Sequence, residues 1–109
     1  MPRYSRGEVV LVRYPFADLS GSKIRPAVIV NGPHESSDVI FVPLTSRTTA
    51  LKSGEFVLAD YQGAGLNVPT AAKRGFHALE ERVVLQSVGR LIPMDLDELD
   101  RSIRYWLGL

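Results

Sequence analysis

A chain of 109 residues with 45% apolar content is the size of one ordinary domain and holds enough apolar material for one core, so a single domain spanning 1–109 is expected. It has no cysteine, which excludes a disulfide frame and a thiolate metal site and suits a reducing cytoplasm. The net charge of +1 names no partner, but residues 1–52 hold seven Lys/Arg against four Asp/Glu and residues 53–109 hold six against eight, which puts the basic surface in the first half.

In chain order, EVVLVRY (Glu8 to Tyr14) is a β-branched run suited to a strand that stops at Pro15. Phe16 to Lys23 mixes Asp18, Ser20, Gly21 and Ser22 between two apolar runs and reads as a loop. PAVIV (Pro26 to Val30) and VIFVPL (Val39 to Leu44) predict strands two and three, separated by Asn31-Gly32-Pro33. EFVL (Glu55 to Leu58) predicts a fourth strand, and Asp60 to Arg74, rich in Gly, Pro and small residues, a long connection over the surface. Phe76 to Leu79 is expected as a further strand, Glu80 to Leu85 as a short helical turn and Ser87 to Ile92 as the last strand. From Asp95, the residues Leu96, Leu99, Ile103, Trp106 and Leu107 recur at helical spacing, with Asp95 and Glu98 placed as a capping box. Short strands and one terminal helix predict a small, strongly bent sheet or barrel. No apolar run approaches the roughly 20 residues that span a bilayer, and no apolar leader follows the N-terminal arginines, so a soluble cytoplasmic protein without membrane contact is expected.

Taken singly, most polar candidates have ordinary explanations. Ser20-Gly21-Ser22 lacks the glycine spacing and the Lys-Ser/Thr pair of a phosphate loop. His34 and His77 are far apart with no carboxylate or histidine at ligand spacing, so a zinc site is not expected, and no cofactor is expected. Trp106 belongs to the apolar helix face and is read as core, while Tyr14 and Phe16 suit either base stacking or a lid over a small core.

The segment GEVVLVRYPFADLSGSKIRPAVIV (7–30) resembles the opening of the MazF/PemK (Kid) toxin family. The likeness continues in VIFVPLTSR (39–47), Gly65-Leu66, Pro69-Thr70, Val88-Gly89-Arg90-Leu91 and the terminal helix, so it covers nearly the whole chain. Its most specific pieces are Arg25-Pro26-Ala27 and Pro43-Leu44-Thr45-Ser46. The resemblance implies a mainly β, SH3-like small barrel of the CcdB/MazF type with a C-terminal helix. It implies a homodimeric, metal-independent endoribonuclease (mRNA interferase) that cuts single-stranded RNA to 2′,3′-cyclic phosphate and 5′-hydroxyl ends. It further implies a cognate antitoxin with a flexible acidic C-terminal segment, and operator DNA bound only through that antitoxin. Carried onto this sequence, the catalytic positions fall on Arg25 and Thr45 and the RNA contacts of the first loop on Ser20, Ser22 and Lys23; Ser46, Arg47, His77, near a position where relatives often have a basic residue, and Phe16 are further candidate RNA contacts. Between Pro69 and Leu79 the sequence departs from its relatives, carrying KRGFHAL where many have an Asp-Gln-hydrophobic-Arg-like segment. A gyrase-poisoning protein of the CcdB kind that cuts nothing, and an inert relative that only binds RNA or antitoxin, are the rival readings of the same scaffold.

The residue types suit that chemistry. A 2′-hydroxyl attacking its own phosphate brings the nucleophile with it, so the protein has to orient and neutralise. A guanidinium fork matches the charged phosphate oxygens of the transition state, and Pro26 biases Arg25 toward extended backbone. The Thr45 hydroxyl adds a hydrogen bond from a β-branched, stiff side chain. For the proton transfers, His77 and Asp18 are the candidates and His34 a poorer one.

Overall fold

The run EVVLVRY forms β1 (Glu8–Tyr14), with the limits read from sequence. The computed structural model describes residues 4–14, 23–31 and 38–109. In it β1 is followed by β2 (Lys23–Ile29), β3 (Asp38–Thr45), β4 (Phe56–Val57), β5 (Ala71–Ala72), β6 (His77–Glu80), β7 (Val84–Arg90) and helix α1 (Pro93–Leu107). The sheet order is β4-β5-β3-β2-β1-β7, and β6 also pairs with β3. All pairings are antiparallel. Along one edge β3 changes partner, with Asp38 to Phe41 against β6 and Leu44 and Thr45 against β5. Register shifts between β1 and β7 at Val9/Val10 and at Leu11/Val12 add local twist. The result is the coiled, barrel-like β fold with a C-terminal helix that the sequence predicts. None of the helices among the described residues is long and apolar enough to cross a membrane.

Alternation sorts the side chains of this sheet to two faces. On one, Val9, Val28, Val42 and Leu44 meet Leu99 of α1, with Leu96, Ile103 and Trp106 packed alongside. On the other, Val10, Val12, Tyr14, Ala27, Ile29 and Phe41 form a second cluster. Phe41 and Ile29 are fully buried there, each contributing roughly 1.5–3 kcal/mol by leaving water.

Several elements depart from the sequence reading, each for a local reason. β2 starts at Lys23 rather than Pro26, because β1 pairs with it from Tyr14↔Lys23 onward. β3 runs alongside β2 only from Ala27, so the missing N–H of Pro26 costs no ladder bond on that side. β3 extends to Thr45, making that residue the end of the strand. The fourth strand shrinks to Phe56–Val57. The connection 60–74 is not wholly superficial: Ala64, Thr70, Ala71 and Ala72 are buried, because small side chains let Ala71 and Ala72 slot between β3 and β4. The expected helical turn is a 3₁₀ turn, Glu81–Val83. The last strand lies earlier, at Val84–Arg90.

The capping box is also replaced. Pro93 occupies the first turn of α1, where its fixed φ and missing N–H fit, and Ile92 is the N-cap without a side-chain bond. Asp95 is instead buried, and its carboxylate accepts the backbone N–H of Ala59 at 2.8 Å and of Asp60 at 3.1 Å. It pins the long connection to the helix start. Asp95→Ala strips a charged acceptor from both donors and is expected to cost about 2–3 kcal/mol, read as a lower urea midpoint at unchanged slope. At the other end Gly108, with φ 72°, closes the helix by donating to Tyr105. Trp106 packs on the first cluster and its Nε1–H donates to the Ser53 carbonyl at 2.9 Å, whereas Leu107 is exposed rather than on the buried face.

Candidate active site

The second face of the sheet positions the site. Val10 stands opposite Ala27, and Ala27 opposite Pro43, in one row across β1, β2 and β3. One row further, Phe41 stands between Ile29 and His77. Directly opposite residues share a face, and so do residues two apart. Arg25, two before Ala27, and Thr45, two after Pro43, are therefore sent to the same side as this cluster. There the large apolar side chains end and a cleft of about 300 Å³ opens, lined by Arg25, Thr45, Lys23, Lys73, Tyr14 and His77, with Pro43 and Leu44 behind them.

Charge in the cleft is one-sided. Among its described lining residues are three cations, Lys23, Arg25 and Lys73, and no carboxylate. A concave surface of one sign focuses its field and draws in an anion. No carboxylate among the described residues pairs with Arg25, whose exposed guanidinium keeps its fork of donors for a ligand. The Thr45 hydroxyl oxygen accepts the Arg47 N–H at 3.1 Å, the local turn expected at this strand end. That bond fixes the oxygen and leaves the hydroxyl proton to be donated outward.

The floor is aromatic. His77 stacks on Phe41 with centroids 5.4 Å apart and planes at 29°. Tyr14 meets Phe41 edge-on at 5.7 Å and His77 at 5.5 Å. Burial pushes the Tyr14 phenol up to about 12, with Arg25 pulling it weakly the other way. Burial also holds the His77 imidazole below the ordinary histidine range, since a charged ring would lose solvation. At neutral pH the floor therefore presents a neutral phenol and a neutral imidazole.

Of the residues singled out in the sequence, Lys23, Arg25, Thr45 and His77 are brought into one cleft. Ser46 and Arg47 are exposed on the chain just beyond Thr45 and do not line it. Phe16, Asp18, Ser20, Ser22 and His34 lie outside the described residues. Lys73 was not singled out. It reaches the cleft because its N–H donates to the Pro43 carbonyl at 2.9 Å, just after the two-residue strand β5. So short a strand leaves no periodicity in sequence; the only available signal was a lysine following two alanines.

The family model for the PemK-like, MazF-like toxin of type II toxin-antitoxin systems matches residues 5–107. No curated protein matches the chain by sequence. Among solved structures, an endoribonuclease in complex with its cognate antitoxin from a mycobacterial species is 16% identical, covers 98% of this chain and 97% of its own, and superposes with a TM-score of 0.78. MazE-MazF from Deinococcus radiodurans is 17% identical over 97% of both chains, with a TM-score of 0.77. The Mycobacterium tuberculosis toxin MazF-mt6 is 18% identical over 94% of this chain and 97% of its own, with a TM-score of 0.73. At such identities the likeness is one of fold.

Proposed function

The chain belongs to the PemK-like, MazF-like family of type II toxin-antitoxin toxins, and from that premise we propose that it is a metal-independent endoribonuclease cutting single-stranded RNA in the cleft between β2 and β3. The observation that carries this reading is that Arg25 and Thr45, from different strands, line one cationic cleft with no described carboxylate. Such a site suits a phosphodiester. Arg25 takes the non-bridging oxygens of the scissile phosphate with its planar fork. Thr45 donates its hydroxyl proton to the same group. The ribose 2′-oxygen attacks phosphorus, leaving a 2′,3′-cyclic phosphate on one fragment and a 5′-hydroxyl on the other.

A cognate antitoxin with an acidic flexible segment fits the charge of the same cleft, and would block it by competing with RNA. The mycobacterial and Deinococcus structures determined with antitoxins support such a partner. Homodimerisation, action in the cytoplasm and operator binding through the antitoxin complete the proposal.

Incubating the purified protein with single-stranded RNA and analysing the fragment ends tests the activity. Cyclic phosphate and 5′-hydroxyl ends are expected; intact RNA together with inhibition of DNA gyrase would reverse the reading. Lys73 gives a separate check on the binding mode. Lys73→Ala is expected to reduce the slope of log affinity against log salt for a 2′-deoxy-substituted, uncleavable oligonucleotide by about 0.7, the value of one phosphate contact on a single strand.

A further inference from the structure

RNA transesterification needs a group that takes the 2′-hydroxyl proton near neutral pH. Most of the described groups around the cleft are unsuited to it. Lys23, Arg25 and Lys73 are cations, Thr45 is a neutral hydroxyl, and the Tyr14 phenol, pushed up to about 12 by burial, keeps its proton. His77 remains, and its placement is built rather than incidental. Its strand partner is the fully buried Phe41, on which its ring stacks at 5.4 Å, while Tyr14 abuts it edge-on at 5.5 Å. Two rings anchored in the second cluster thus fix the plane of a side chain that lines the same cleft as Arg25 and Thr45.

On this geometry, and resting on the nuclease reading above, we propose that His77 is the catalytic base that accepts the ribose 2′-hydroxyl proton. A neutral imidazole has one unprotonated nitrogen to do so. The 2′-O–H proton moves to that nitrogen as the 2′-oxygen pair forms the bond to phosphorus. The P–O5′ bond breaks with its electrons on the 5′-oxygen, which takes a proton from solvent water. The imidazolium then returns its proton to solvent, so atoms and charge balance over the turnover.

Among the described residues, the charged or titratable groups that line the cleft with His77 are Tyr14 from β1, Lys23 and Arg25 from β2 and Lys73 from the segment before β6. Burial is what favours the neutral ring. The base is therefore in its working form at neutral pH, and kcat/KM should fall only as pH drops through a value below the ordinary histidine range.

The test combines the wild-type pH profile with His77→Asn, using an RNA substrate and its 2′-deoxy analogue. The wild-type profile should show an acid limb of unit slope. His77→Asn should lose about 10²-fold in kcat with KM and 2′-deoxy binding within about threefold, and its remaining activity should lack that limb. A purely structural role would leave the limb in place. Near-normal kcat in the variant, an unchanged limb, or a loss confined to binding would overturn the assignment while leaving the nuclease reading intact. Should His77→Asn fail to fold, the wild-type profile decides, and a flat acid side overturns the assignment. No cleavage by the wild-type protein would remove the nuclease reading and this proposal together.

Discussion

Arg25→Ala is expected to lower single-turnover cleavage of single-stranded RNA about 10²–10³-fold, the effect of removing a preorganised donor from a site of developing charge. The loss should come with little change in folding, because the Arg25 side chain is exposed and lies past the end of the second cluster. Equal melting temperatures for variant and wild type check that point. Arg25→Lys keeps the charge but not the planar fork, and should fall between the two. If alignment of the phosphate is the main contribution, lysine recovers little; if net charge suffices, it recovers most.

Gly65→Ala should be among the most destabilising single changes in the chain. Gly65 has φ +89°, and a Cβ there would land on the Val88 carbonyl oxygen. The converse contact exists too, since a Cβ on Gly89 would meet the Ala64 carbonyl oxygen. The two glycines let the backbone of the long connection lie directly on β7. Neither obstacle is the flexible end of a side chain, so backbone has to move. Left-handed strain and overpacking together are expected to cost about 3 kcal/mol or more, which for a domain near 100 residues lowers Tm by roughly 12–24 °C. Thermal unfolding followed by circular dichroism measures it, and a shift of only a few degrees would mean that the loop and β7 separate easily.

These glycines show how unevenly the structure can be read from the sequence. Gly65-Leu66 and Val88-Gly89 were visible as pieces of a family pattern, but nothing in their spacing tells that they touch. β1 was legible because its β-branched run ends at a proline, and α1 because four of its apolar residues recur at helical spacing and pack on one cluster. Asp95 misled because an acid three residues before a glutamate is a good local cap in the abstract, while here its carboxylate reaches the backbone of Ala59 and Asp60, over thirty positions away in sequence. The convergence of Arg25 and Thr45 follows from the register of β2 against β3, which a sequence leaves open. Lys73 and the ring stack under His77 depend on pairings of two and four residues with β3, too short to leave a pattern.

A double-mutant cycle on Arg25→Ala and Thr45→Val, read by single-turnover cleavage, bears most directly on the claim that both side chains act on one phosphate. Groups that work as a unit lose their effect together, so the double variant should be little slower than Arg25→Ala alone. Rate losses that simply multiply, or a single variant that cuts RNA as fast as wild type, would contradict it.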